Sequence, residues 1–184
     1  IPNAYNFISI PLIDATANSL PLATAEQLGQ AINSQGGVCT YIIAYYANID
    51  TQIIHTVGTT TNNFPIEPDH GYWVYVTALP PTDFSIEGWP PGERIVPLYD
   101  TSSNNNALYN DVGWTCYKTK TTVSEIATML GSDFVDIGTY HPIFGWKWYS
   151  TSGNFDILPG RGYSIKVKAG TNPVLQYTEY YLDP

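Results

Sequence analysis

The stretch Asn63 to Val76, NFPIEPDHGYWVYV, returns without a gap as Asn154 to Val167, NFDILPGRGYSIKV. The shared frame is NFxIxPxxGYxxxV, and at the same offset Phe84 and Ile86 fall on Leu175 and Tyr177. Similarity at a fixed offset is the mark of a structural unit used more than once in a chain. Within each copy a Pro and Gly turn leads into an alternating run of aromatic and β-branched residues, which reads as a turn feeding a strand.

Upstream, Thr24 to Ile32 (TAEQLGQAI) falls on Thr122 to Leu130 (TVSEIATML). Both open with Thr followed three places later by Gln27 or Glu125, the pattern of a capping box, so each copy starts a short helix. Leu28, Ala31 and Ile32 answer to Ile126, Met129 and Leu130 as one apolar stripe that must lie on a sheet. Gly36 and Gly37 stop the first helix and Gly131 the second. The remaining runs read as strands: Phe7 to Leu12, Val38 to Tyr46 and Tyr72 to Val76, then Trp114 to Lys120, Phe134 to Tyr140, Trp146 to Tyr149 and Tyr163 to Val167. The expected fold is mainly β, of α+β type. It has two tandem copies of an antiparallel-sheet unit, residues 1–90 and 91–184, each with one short helix. Gly88 to Glu93 (GWPPGE) is the stiff joint between them.

The runs NFISIPL at Asn6 to Leu12, PDHGYWVYV at Pro68 to Val76, VPLYDTSSNNNAL at Val96 to Leu108 and ILPGRGYSIKV at Ile157 to Val167 carry a likeness. The pattern resembles duplicated modules of large secreted and cell-surface proteins of archaea and some bacteria, which repeat an NxISIPL strand and a PGxGYxVxV strand. That resemblance implies a non-catalytic surface unit and a secreted or cell-surface location. The second copy departs from it, with Trp114, Thr115, Cys116 and Tyr117 where the first has NFISIPL. Asp69 and His70 likewise stand where the other copy has the Gly and Arg of PGRG.

Composition narrows the partners. Of 184 residues, 43% are hydrophobic and only 12% charged, with 15 Tyr, which suits a packed, strand-rich chain with a neutral polar surface. A net charge of -9 repels nucleic acid, and no apolar run reaches the length of a membrane-spanning helix. The charge is uneven. The first 92 residues hold seven acids and no Lys or Arg, whereas the remainder sets seven bases against nine acids. Lys118 and Lys120 alternate along one strand and Lys166 and Lys168 along another, so each pair projects from one face. An acidic unit followed by one with basic faces can dock head to tail with its neighbour, and a contact that does not close gives a filament.

Other residues offer chemistry. Asp100, Ser102, Asn104, Asn106 and Asp111 have the spacing of a 12-residue calcium loop, although Asn105 replaces its Gly and Asp111 its terminal Glu. The plain alternative is a loop whose Asn and Ser side chains bond their own backbone. Trp146 and Trp148 share one strand face, with Lys147 on the other, and their rings could stack on sugars or be half-buried sheet residues. Cys39 and Cys116 occupy non-equivalent places, so they form either a disulfide between the units or two buried thiols. His55, His70 and His141 lie in separate segments with no HxH or HExxH spacing, and no GxSxG elbow is present, so no catalytic residues and no resident cofactor beyond calcium are expected. His70, opposite Arg161 in the other copy, reads as an exposed turn residue. The expected function is a non-catalytic extracellular structural protein that self-associates; carbohydrate binding or adhesion is the alternative.

Overall fold

The computed structural model describes residues 3–17, 20–78, 84–89, 91–100, 109–115 and 121–177. The first half runs β1 (Ala4–Ile8), β2 (Ile13–Ala17), β3 (Leu20–Pro21), α1 (Ala25–Ser34), β4 (Val38–Tyr46), β5 (Thr51–Thr56), β6 (Tyr72–Ala78) and β7 (Glu87–Trp89). The second runs β8 (Arg94–Pro97), β9 (Asn110–Gly113), β10 (Thr121–Thr122), α2 (Val123–Leu130), β11 (Phe134–His141), β12 (Gly145–Trp148), α3 (Tyr149–Ser152), β13 (Asp156–Ile157), β14 (Gly162–Val167) and β15 (Val174–Tyr177). The protein is mainly β, with several antiparallel sheets and few short helices.

Its two larger sheets have the order β1-β6-β4-β5 and β9-β14-β11-β12, read from equivalent ends. Each lays one face on the preceding helix. Tyr72, Val74, Ile42 and Ala44 pack with Leu28, Ala31 and Ile32 of α1 in one core; Tyr163, Ile165 and Ile137 pack with Ile126 and Leu130 of α2 in another. Met129, expected in the second stripe, is 50% exposed, because its helix turns that position outward.

The frame NFxIxPxxGYxxxV has the same physical duties in both places. Asn63 Oδ1 accepts from the Glu26 N–H and Asn154 Oδ1 from the Ser124 N–H, each at 3.0 Å, satisfying a helix amide that has no partner within the helix. The Phe64 and Phe155 carbonyls take the next orphan amides, those of Ala25 and Val123, while both rings are buried. The Tyr72 hydroxyl accepts from the Glu67 N–H and the Tyr163 hydroxyl from the Leu158 N–H, each at 2.7 Å, so two buried Tyr fold their turns back over the sheet. The caps differ by one place. Glu125 Oε2 accepts from the Thr122 N–H at 2.6 Å, as a capping box requires, but Gln27 Oε1 takes the Ala23 N–H, one residue before the cap.

The strand expected over Trp114 to Lys120 is corrected. The second unit's counterpart of β1 is β9, whose Val112 lies opposite Tyr163 as Ile8 of β1 lies opposite Tyr72. Asp111 therefore stands where the first unit has Phe7. Trp114 and Thr115 follow β9 as buried non-strand residues, and residues 116–120 lie outside the description. Likewise Glu87–Trp89, placed partly in the joint, is a strand paired with β2.

Candidate functional site

The second faces of the two larger sheets meet in a seam, through contacts made twice in reciprocal sense. The Ser9 N–H donates to the Gly160 carbonyl at 3.1 Å and the Gly113 N–H to the Asp69 carbonyl at 2.9 Å. Ile8 bridges to Arg161 and Val112 to His70. Phe7 fills the centre: its ring stacks on Trp73 at 4.4 Å and lies against Gly71 and Gly162, the glycines of the shared frame. Asp111 spans equivalent positions of β6 and β14, accepting from Trp73 Nε1 at 3.1 Å and from the Ser164 hydroxyl at 2.6 Å.

Two hollows flank this seam, and they occupy reciprocal places. One, of about 200 Å³, is lined by Tyr45, Tyr46, Glu67, Asp69, His70 and Asp111 among others. Its electrostatics are those of enclosed acids: burial pushes the Asp111 carboxyl up to about 6, against the hydrogen bonds from Ser164 and Trp73. Burial first, then the Asp69 charge, raises the Glu67 carboxyl as well. His70 is not an exposed turn residue: it stacks on Tyr46 and meets Tyr72 at a tilt, and burial drives its pKa down to about 4, so it is neutral at pH 7. Arg94, the first base of the chain, closes this side with an ion pair to Asp69 at 2.6 Å.

The reciprocal hollow is a larger cleft of about 580 Å³, lined by Asn6, Phe7, Tyr140, His141, Phe144, Trp146, Lys147 and Arg161 among others, and among the described residues no Asp or Glu lines it. Its wall is aromatic. Trp146 stands edge-on to Phe7, Trp73 and Tyr140, and the residue is 39% exposed. Phe144, at the tip of the β11–β12 hairpin, is 81% exposed and stacks with His141 at 4.7 Å. His141 Nδ1 accepts from the N–H groups of Ile143 and Phe144, so the neutral ring carries its proton on Nε2.

The residues singled out in the sequence scatter. Trp146 and Trp148 do share a face, but they stack on one another at 4.7 Å, and Trp148 lies against Gly138, so only Trp146 lines the cleft. Lys147 lines the cleft, but its Nζ lies 4.7 Å from the centre of the Phe155 ring on the other face. Lys166 lies opposite Asp136 and over Tyr109, Lys168 is exposed, and Lys118 and Lys120 lie outside the described residues. Of the calcium set, Ser102, Asn104 and Asn106 lie outside them too. The Asp111 carboxylate is committed to the seam, and that of Asp100 accepts from the Gly170 N–H. Among the described residues no group of three or more His, Cys, Asp or Glu is placed to hold a metal ion. Cys39 is a buried thiol, pushed up to about 12 by burial, and Cys116 lies outside the description. His55 is fully buried between Glu26 Oε2 at 2.7 Å and the Thr61 carbonyl at 3.0 Å, tying β5 to the first turn of α1.

Sequence reasoning missed Phe7, Tyr140, His141, Phe144 and Arg161 as neighbours, because they converge only through the reciprocal contact. The one linear signal was the exchange of His70 for Arg161 at equivalent turns. No helix among the described residues is long and apolar enough to cross a membrane. Comparison with protein-family models, with curated proteins and with solved structures finds no match for this chain.

Proposed function

We propose that this chain is a non-catalytic, secreted or cell-surface binding protein built by duplication of one α+β unit, and that it recognises carbohydrate in the aromatic cleft at its seam. The observation that carries this reading is the cleft itself. Its size falls within the range of about 300–1,000 Å³ common to small-molecule sites, and its wall combines aromatic rings with a few polar groups. Sugars present CH-bearing faces to aromatic rings and hydroxyls to polar groups, so a wall of Trp146, Tyr140 and Phe144 beside Asn6 and Thr139 matches them. The histidines support a non-catalytic role, since His55 is spent on a structural bridge and His70 is walled in by Tyr.

The test is a glycan-array screen of the wild type and Trp146→Ala. Wild-type protein should retain a defined set of glycans and the variant lose them while still unfolding in one cooperative transition, at a lower temperature because its ring contacts with Phe7, Trp73, Tyr140 and Trp148 are gone. Failure of the wild type to retain any glycan would remove the reading.

Self-association keeps a second footing in one observation. Strand β5 (TQIIHT) forms an outer edge of its sheet, carries neither Lys nor Pro, and leaves Ile54 46% exposed. Such an edge can accept a strand from another copy. The charge asymmetry supports assembly less, because Arg94 spends its charge on Asp69 within the molecule.

A further inference from the structure

We infer that the ligand of the seam cleft is an anionic saccharide, one bearing a carboxylate or a comparable acidic group, with Arg161 as its charge-reading residue. This rests on the cleft being a carbohydrate site and names the class of sugar it takes. In a protein of net charge -9, Arg161 brings its charge to the 580 Å³ cleft, and among the described residues no Asp or Glu lines it. The reciprocal hollow reverses this, with Glu67, Asp69 and Asp111 on its wall. The contrast lies in equivalent positions: Arg161 answers to His70, and Phe7 to Asp111. One hollow thus carries acids, of which Asp69 is paired with Arg94, while the other carries the Arg161 guanidinium in their place.

Arg161 is exposed and its guanidinium makes no ion pair among the described residues, whereas Arg94 is paired with Asp69. Its backbone, not its side chain, holds the seam, through the carbonyl that accepts from the Ser9 hydroxyl at 3.1 Å. The guanidinium is therefore available to an incoming carboxylate, which it can meet with two parallel hydrogen bonds. His141 adds a donor at Nε2, since its Nδ1 accepts from backbone N–H groups.

The experiment is calorimetric titration of the whole chain with a tri-uronate and with the neutral trisaccharide of the same ring stereochemistry, at low and high salt. Wild type should prefer the tri-uronate, and high salt should erode that preference. Arg161→Gln should weaken the acidic ligand about tenfold, the loss of one charge-assisted contact, and leave the neutral one unchanged. Arg161→Lys should restore part of the loss. Equal binding of the two sugars, or indifference to Arg161→Gln, overturns the inference while leaving carbohydrate recognition standing. Binding of neither sugar overturns both. A polyglutamate peptide that binds as well as the tri-uronate, with no effect of Trp146→Ala, would assign the cationic cleft to acidic peptides and overturn the inference.

Discussion

A methyl group added to Gly162 would lie 2.5 Å from Phe7 Cδ2, and one added to Gly71 would lie 2.8 Å from Phe7 Cε2. Neither glycine has a left-handed backbone, so what each supplies is room for a ring arriving from the seam. Phe7 cannot yield easily, because its other face is stacked on Trp73. Gly162→Ala should therefore cost about 1–3 kcal/mol, the usual range for overpacking, read from urea denaturation. Phe7→Leu in the same chain should recover part of that loss, a coupling that marks the two residues as one contact. Equal stability of Gly162→Ala and wild type would mean that the seam is looser than described. The Glu26 carboxylate shows a different use of a single residue. Burial works against its charge, but the Gly58 N–H, His55 and Gln30 outweigh this and hold its pKa below 4.5, so it stays charged where it anchors β5 to α1.

Both long helices and most strands were legible in the sequence because local signals and tertiary demands agree there. The Thr caps, the apolar stripes and the alternation in β6 and β14 each name their element without help from packing. Strand β9 was not legible, since Asn110, Asp111 and Gly113 are poor strand formers and only pairing with β14 makes them one. Of the site, Trp146 was legible from alternation; Phe7 and Arg161 were not, because their meeting depends on contacts between halves that no local pattern encodes. Edges carry a similar lesson. Among the described residues strand β5 pairs with β4 alone; TQIIHT carries neither Lys nor Pro, and on its free side the Ile54 carbonyl accepts from the Asn62 side chain at 3.2 Å. Ile54→Lys places a charge there at little cost to the fold, because the side chain is half exposed. If β5 recruits a second copy, sedimentation should show wild type associating with concentration while Ile54→Lys stays monomeric. A wild type that is monomeric throughout would retire strand addition at this edge.

For the whole molecule, the seam joins two cores, and its electrostatic balance sets how stability responds to pH. Asp111 and His70 line the same hollow with opposite shifts, Asp111 up from 3.8 to about 6 and His70 down from 6.5 to about 4, both chiefly through burial. The raised carboxyl favours the folded state most below pH 3.8, and that contribution is lost as pH rises through about 6. The lowered imidazole does the reverse: its contribution is complete above pH 6.5 and is lost as pH falls through about 4. Each shift corresponds to about 3 kcal/mol at most, so between pH 4 and 6 the two slopes largely cancel. Each single variant should unmask the other. Relative to wild type, Asp111→Asn should gain stability as pH rises through this window, since the Asp111 carboxyl is gone and His70 is opposed by the raised Glu67 without it. His70→Gln should lose stability over the same range, with Asp111 and the raised Glu67 acting unopposed. Urea midpoints of the three proteins from pH 4 to 7 decide the matter. Parallel curves for all three would mean that neither group is enclosed and that water reaches the seam from the acidic side.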